Sequence, residues 1–123
     1  MLPTRMTRMG QMLLFLTVLL LGSHAARGAG EVWTDVGMIT WMEAGWSQDT
    51  MAVGHTAQLK NPANCSVTNF GYATDPADPG HSLFHTVALS AFMNKRQVQF
   101  LLAGQGEKGC IFNKPKIIAV KVH

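Results

Sequence analysis

The sequence predicts a mainly β domain with a single α-helix, and its elements follow one another in the order β-β-β-α-β-β. Five segments are rich in β-branched and aromatic residues, and the clearest of them alternate apolar and polar positions, as strands do. Between the third and fourth of these lies one segment with apolar residues at helical spacing. Asn-Pro and Asp-Pro steps separate the segments and predict turns.

The first two predicted strands cover residues 36–43 (VGMITWME) and 50–59 (TMAVGHTAQL), with a turn at 44–49. In the second strand, Gly54 predicts a β-bulge or a close approach of another backbone, because glycine weakens a strand unless the local geometry requires it. The alternation puts these apolar residues on one face, with His55 among them: Met51, Val53, Ala57 and Leu59.

The other three predicted strands lie on either side of the helix. An Asn-Pro turn at 61–64 leads into a strand at 65–74 (CSVTNFGYAT), which ends at two Asp-Pro steps. Residues 97–104 (QVQFLLAG) follow the helix, and residues 115–122 (PKIIAVKV) form the last strand after a glycine-rich loop.

The helix has recognisable ends in the sequence. Asp78 is a favourable N-cap, Pro79 suits the first helical position, and Asn94 suits a left-handed C-terminal cap. Between them, these apolar residues recur at helical spacing and predict one buried stripe: Leu83, Phe84, Val87, Ala88, Ala91 and Phe92.

This element order is that of an OB-fold, a five-stranded, partly open barrel with its helix between strands three and four. We therefore expect a single small OB-like domain over residues 31–123. An open sheet with one packed helix fits the same order, but closing the sheet would cover edges that a flat five-stranded sheet leaves exposed.

Residues 1–26 are predicted to be a signal peptide. Arg5 and Arg8 precede an apolar run at 12–22, and the small residues that follow suit cleavage after Ala25 or Ala26, with Gly28 or Gly30 as alternatives. The apolar run is short for a permanent membrane-spanning helix, so an uncleaved anchor is the less favoured alternative. The prediction places the mature protein in the periplasm or outside the cell.

Loss of the leader changes the charge of the chain. The full sequence has ten Lys and Arg against seven Asp and Glu, and removing Arg5, Arg8 and Arg27 leaves seven of each sign. A chain so close to neutral carries no electrostatic footprint for nucleic acid, and we expect no such partner.

Both cysteines, Cys65 and Cys110, belong to the predicted mature chain. An even number of cysteines in an exported chain indicates one disulfide, and two buried thiols are the alternative. Asn64-Cys65-Ser66 also satisfies the rule for an N-glycan acceptor, although a disulfide would be the better use of the cysteine.

Aromatic residues are the best candidates for ligand binding, since a ring can stack on a sugar or fill an apolar pocket. We single out Trp46, Tyr72 and Trp41; Trp33 and Phe70 are further aromatic residues of this kind. Trp46 lies in a turn and is the one expected to be exposed, whereas Trp41 follows Gly37 and Ile39 in the strand alternation and is expected in the core. Taken together, these residues are better explained by packing in the core than by ligand stacking, because a small domain needs large apolar side chains.

Patterns typical of enzymes and metal sites have simpler explanations here. His81 and His85 are four residues apart at the start of the helix and could share a metal, but no third ligand is evident and a solvated helix end is favoured. Glu43 and Asp49 form a carboxylate pair around an exposed turn. Residues 104–109 (GQGEKG) match G-x-G-x-x-G, yet no helix can follow them, so a loop is expected. No catalytic residue, metal or cofactor is predicted.

From residue 61 onward the chain resembles a group of small exported proteins of Gram-negative proteobacteria, which are similar to the B subunits of AB5 toxins of the subtilase-cytotoxin type. The resemblance lies in NPANC, FGYATDPAD, LFHTVALSAFMNKRQVQFLLAG, GC and KPKIIAVKV. It implies an OB-like barrel and a Cys65–Cys110 bridge, and in the toxin group it implies glycan binding and pentamers. Only the two cysteines can be matched position by position, and the residues QGEKG lengthen the loop before Cys110 relative to that pattern.

These observations lead us to expect an exported, non-enzymatic binding module for a glycan or a protein, which could form a homo-oligomer. The alternative is a structural or accessory protein of the envelope, such as a subunit or inhibitor, with no small-molecule ligand. A metal-dependent enzyme that uses His81 and His85 is the least favoured hypothesis.

Overall fold

The computed structural model describes residues 30–46, 48–69, 71–106 and 108–123. The predicted signal peptide, residues 1–26, and the candidate Phe70 lie outside these residues. No helix within the described ranges is long and apolar enough to cross a membrane.

A partly closed β-barrel with one helix accounts for the described chain, which confirms the predicted fold class. The elements are β1 (Val32–Trp33), β2 (Gly37–Ala44), β3 (Met51–His55), β4 (Tyr72–Thr74), α1 (His81–Met93), β5 (Gln97–Leu102), β6 (Cys110–Ile111) and β7 (Lys114–Val122). Five strands form a ring in the order β2-β3-β4-β7-β5, and β5 pairs with β2 to complete it. The ring has an OB-like arrangement, with the helix between its third and fourth strands along the chain. Two short strands extend it, β1 beside β5 and β6 beside β7.

The pairing of β2 with β3 contains the irregularity that Gly54 predicts. The register shifts between Ile39 and Trp41, where Gly54 lies opposite Trp41. A Cβ atom at Gly54 would overlap the indole of Trp41 and the hydroxyl of Thr40, so only glycine fits beside that ring. The bulge strengthens the local twist that a small barrel needs.

The interior of the barrel is filled from every strand of the ring and from the helix. Phe100 and Ile117 are fully buried, and Tyr72 is nearly so. The rings of Tyr72 and Phe100 lie 5.9 Å apart between centroids. The core consists of Ile39, Met51, Val53, Tyr72, Ala88, Ala91, Val98, Phe100, Leu102 and Ile117.

Helix α1 begins later than predicted and packs through its small residues. Its N-cap is Gly80, which has no side chain to cap the helix. The carboxylate of Asp78, the predicted cap, lies near the ammonium group of Lys116 instead. Ala88 and Ala91 are buried, whereas Leu83 is 63% exposed and does not belong to the apolar stripe. The two alanines let the helix backbone lie close to the barrel.

The helix ends in a Schellman motif one residue later than predicted. Lys95, with φ 51°, is the left-handed residue, and Asn94 is not, with φ −96°. The N–H of Arg96 donates to the carbonyl of Ala91 at 2.9 Å, and the N–H of Lys95 donates to that of Phe92 at 3.3 Å. These two bonds satisfy carbonyls that the last turn would otherwise leave free.

The strands before the helix are shorter than predicted. β3 ends at His55, and β4 contains only residues 72–74 of the predicted 65–74. Gly71 explains the late start of β4, since its φ is 72° and a Cβ there would overlap the carbonyl of Val53. The chain can therefore pair with β3 only after it has passed this glycine.

A disulfide joins Cys65 to Cys110, with their Cα atoms 5.7 Å apart, which confirms the expected bridge. The sequence predicts that Cys65 begins the third strand, but it lies in the long loop before β4. The amide side chain of Asn61 holds it there: Oδ1 accepts the N–H of Cys65 at 2.7 Å, and Nδ2 donates to its carbonyl at 2.8 Å. The bridge fastens this loop to β6.

Lys116 connects β7 to the segment that precedes the helix. Its side chain is 8% exposed, and its Nζ lies 3.8 Å from Asp75 Oδ2 and 3.4 Å from Asp78 Oδ2. The other oxygen of Asp75 accepts the N–H of Ala77 at 2.9 Å. Each buried charge therefore has a partner of opposite sign, as a buried ion requires.

We predict that the disulfide forms under oxidising purification. The intact mature protein should weigh two hydrogens less than its reduced form by mass spectrometry. Replacing both Cys65 and Cys110 by serine should lower the free energy of unfolding by up to about 4 kcal/mol, because the unfolded chain regains the freedom of a long loop. Two free thiols in the purified protein would contradict the bridge.

Replacement of Lys116 by methionine should lower the free energy of unfolding by about 3 kcal/mol, because Asp75 would remain buried without a counter-ion. Adding Asp75→Asn should restore part of this loss, since asparagine keeps the bond from Ala77 without the charge. Lys121→Met, on the exposed end of the same strand, should cost less than about 1 kcal/mol. Chemical denaturation measures all three, and equal losses for the two lysine variants would contradict the buried ion triad.

Candidate functional site

An exposed pair of aromatic rings lies where two connections of the barrel meet. Trp46 belongs to the loop between β2 and β3, and Phe112 to the turn between β6 and β7. Their ring centroids are 5.4 Å apart, and the rings stand edge to face at 78°. Trp46 is 39% exposed and Phe112 36%, so both rings contact each other and still face solvent.

Both aromatic residues have left-handed backbone conformations, with φ 65° at Trp46 and 48° at Phe112. Asn113 follows with φ 61°, so Phe112 and Asn113 form a two-residue hairpin turn with both φ angles positive. Glycine or asparagine usually occupies such positions, and a bulky residue there costs of order 1 kcal/mol or more. The contact between the two rings and the barrel beneath them offsets that cost.

Charged groups of opposite sign flank the indole of Trp46. Its Nε1–H donates to Glu43 Oε1 at 2.5 Å, and the ammonium nitrogen of Lys114 lies 4.2 Å from the ring centroid. We call Glu43, Trp46, Phe112 and Lys114 the rim cluster. It holds one indole by a hydrogen bond, a ring contact and a cation–π contact, which fixes the orientation of the exposed ring.

The other two aromatic candidates do not join the rim cluster. Tyr72 is 1% exposed, and its hydroxyl accepts the backbone N–H of Lys60 at 3.0 Å, so its ring belongs to the core and offers no surface to a ligand. Burial raises the pKa of Tyr72, and the bond from Lys60 opposes that rise. Trp41 is half-buried beside Gly54 on the β2–β3 sheet.

A polar network lies between the same β2–β3 loop and helix α1. His81 Nε2 is 2.8 Å from Asp49 Oδ2, and the Nδ1 of the same ring is 2.8 Å from the carbonyl oxygen of Asp78. His85 Nε2 is 2.7 Å from the hydroxyl of Thr74. The predicted solvated helix end is therefore an organised network, with the two imidazole centroids 5.6 Å apart.

Thr74, His85 and Asp49 stand in the order of nucleophile, base and orienting carboxylate, but their geometry does not support that chemistry. Thr74 is fully buried, and its hydroxyl accepts the backbone N–H of Met51 at 3.0 Å. His85 Nδ1 is 3.9 Å from Asp49 Oδ1, beyond hydrogen-bond distance. Across the described ranges, no three His, Cys, Asp or Glu side chains form a group that could hold a metal ion.

The two histidines of the network titrate in opposite directions. The hydrogen bond that His81 donates to Asp49 raises the pKa of His81 above its ordinary value, and the bond to the carbonyl of Asp78 adds to the rise. The same hydrogen bond lowers the pKa of Asp49. Burial lowers the pKa of His85, and its proximity to Asp49 opposes that effect. Of the pair, His81 is the ring whose charged form the surroundings favour.

A groove of about 210 Å³ opens beside this network, between the helix and the end of β2. Its walls are largely apolar, and Leu89 on the helix side is 51% exposed. The lining residues are Met42, Glu43, Ala44, Met51, His85 and Leu89.

The sequence predicts the exposure of Trp46 but not the residues around it. Phe112 and Lys114 lie far from Trp46 along the chain, and the only local signal is Asn113, a residue that favours tight turns. The pairing of Asp49 with His81 has no local signal at all, since it exists only after β3 and β4 have brought the loop to the helix.

Comparison of this chain with models of protein families, with curated proteins and with solved structures gave no match.

We predict that Tyr72→Phe lowers the free energy of unfolding by about 1 kcal/mol. The reason is that the half-buried N–H of Lys60 would lose the phenolic oxygen to which it donates, while the ring itself would stay packed. Denaturation by urea measures the change. A variant as stable as the original protein would contradict a structural role for the hydroxyl.

Proposed function

We propose that the chain is an exported, non-enzymatic binding module that recognises a glycan through the rim cluster. The observation that carries the proposal is the strained, exposed contact between Trp46 and Phe112. Bulky residues in left-handed conformations persist only where the surroundings enforce them, and such residues concentrate at functional sites. Two of them in contact at one rim are better explained by a ligand than by stability.

The chemistry of the cluster suits a sugar. A rigid indole offers an apolar face for the C–H face of a pyranose ring and loses little entropy on binding. Glu43 is exposed and accepts hydrogen bonds, as sugar hydroxyls require, whereas Lys114 is buried and supports the indole from below through its cation–π contact. A small number of polar groups beside an apolar surface is the usual composition of a ligand site.

Export is part of the proposal. The Cys65–Cys110 bridge is typical of proteins that fold in an oxidising compartment, and the sequence of residues 1–26 suits a cleaved leader. The resemblance to toxin B subunits points to the same compartment and to glycan binding, and it remains a prediction. The network of Thr74, His85 and Asp49 supplies no accessible nucleophile, which favours binding over catalysis.

The alternative, a structural or accessory protein of the envelope, is favoured by one observation. Helix α1 exposes Leu83, Leu89 and Met93 by half or more of their surface, beside the apolar groove. Exposed apolar residues of this kind can mark a contact with another protein.

A glycan array with the purified mature protein tests the proposed function. We expect binding to a limited set of glycans. Calorimetry then measures the affinity for the glycan that binds most tightly. Trp46→Ala should weaken that affinity about thirtyfold, equivalent to about 2 kcal/mol, because it removes the stacking surface.

Trp33→Ala is the matched control. Trp33 is also a tryptophan under a lysine, with Lys121 Nζ 4.5 Å from its ring centroid, but it belongs to β1 rather than to the rim cluster. We expect it to leave affinity unchanged. No binding on the array, or equal losses in the two variants, would overturn the glycan proposal and favour the accessory protein.

A further inference from the structure

The hydrogen bonds of His81 require a proton on each ring nitrogen. Nδ1 faces the carbonyl oxygen of Asp78 and Nε2 faces a carboxylate oxygen of Asp49, each at 2.8 Å. Both partners can only accept, whereas a neutral imidazole has a single N–H to donate. Only the imidazolium form satisfies both contacts, so the observed geometry is that of a charged His81.

Several other ionisable groups lie near His81, among them His85, whose Nδ1 is 3.9 Å from Asp49 Oδ1. His85 faces His81 from the next turn of α1, and its own Nε2 is engaged by Thr74. The carboxylate of Asp78 lies in the segment before the helix, with its Oδ2 3.4 Å from Nζ of Lys116 in β7. From β2 comes Glu43, which lines the groove with His85. Asp49 is thus the carboxylate that directly pairs with His81.

Asp49 belongs to the loop that carries Trp46. The loop closes on itself through the N–H of Gly45, which donates to the carbonyl of Thr50 at 2.9 Å. At one side Trp46 contacts Phe112, and at the other Asp49 contacts the helix. Asp49 is therefore three residues from Trp46, within a loop whose two ends are joined by the bond between Gly45 and Thr50.

We infer that the Asp49–His81 ion pair is a proton-dependent clamp that holds the Trp46 loop against helix α1 and so regulates the rim cluster. The effect of the clamp on ligand binding rests on the proposed function, whereas the clamp itself rests on the geometry of the two residues. When His81 loses its proton, one of its two acceptors loses a hydrogen bond, and the ion pair to Asp49 disappears with the charge.

The signs of the pKa shifts set the pH range of the clamp. His81 has a raised pKa, so its contribution is complete below 6.5 and is lost as the pH rises through its folded pKa above that value. Asp49 has a lowered pKa, so its contribution is present above 3.8 and is lost only as the pH falls through its folded pKa below that value. The clamp is closed between the folded-state pKa of Asp49 and that of His81, and it opens as the pH rises above the latter.

An NMR titration of the protein without ligand, from about pH 5 to about pH 9, tests the clamp. We follow the imidazole protons of His81 and the indole N–H of Trp46. The midpoint of His81 should lie above 6.5, and the signal of Trp46 should shift with the same midpoint. In Asp49→Asn the midpoint of His81 should fall towards 6.5 and the signal of Trp46 should no longer follow it. Local signals are needed because burial lowers the pKa of His55 and of His85, which changes global stability in the opposite direction.

Asp35→Asn is the matched control. The side chain of Asp35 is 68% exposed and pairs with Lys60 at 3.1 Å, and that of Asp49 is 70% exposed, so both variants remove one exposed carboxylate from one ion pair. We expect Asp35→Asn to leave both titrations unchanged. A His81 midpoint at or below 6.5, or a Trp46 signal that does not follow it, overturns the clamp.

The experiment separates the clamp from the proposed function because it uses no ligand. A closed clamp in a protein that binds no glycan would overturn the function alone, and glycan binding without a coupled titration would overturn the clamp alone. If both hold, affinity for the best glycan should fall above the His81 midpoint in the original protein and remain constant there in Asp49→Asn.

Discussion

The barrel closes because β7 pairs with three neighbours at once. Its first half lies parallel to β4 and antiparallel to β6, and its second half lies antiparallel to β5. Ile117 stands at the junction, opposite Thr74 of β4 and Leu102 of β5, and is fully buried. The parallel pair requires a long crossover, which the chain from α1 to β6 provides. The core, the position of the helix and the approach of the two rim connections all depend on this closure.

Closure also provides the support for local strain. Trp46 and Phe112 hold unfavourable backbone angles at the ends of strands that cannot separate, because β2 and β7 are both integrated into the ring. The disulfide fastens β6, next to Phe112, to the loop around Cys65. A flat, open sheet would relieve the strain by moving either connection, and a closed one cannot do so without breaking strand pairs.

Several charged side chains of this small domain contact partners within the domain itself. Lys116 balances Asp75 and Asp78 in the interior, Lys60 bonds both the carbonyl of Trp33 and Asp35, and Lys114 lies over an indole. Each of these cations has a local partner, and residues 28–123 contain equal numbers of acidic and basic side chains. The same local use of charge makes the Asp49–His81 pair responsive to a single proton.

The sequence by itself determined the class of fold, the helix and the presence of a bridge, because strand alternation, helical spacing and paired cysteines are local or compositional signals. It also indicated that Trp46 would be exposed, since glycine and serine flank it in a turn. It did not reveal the burial of Tyr72, the loop position of Cys65, or the partners of Trp46 and His81. Those outcomes follow from contacts between residues far apart in the chain, which come together only when β7 closes the ring, and no local pattern encodes them.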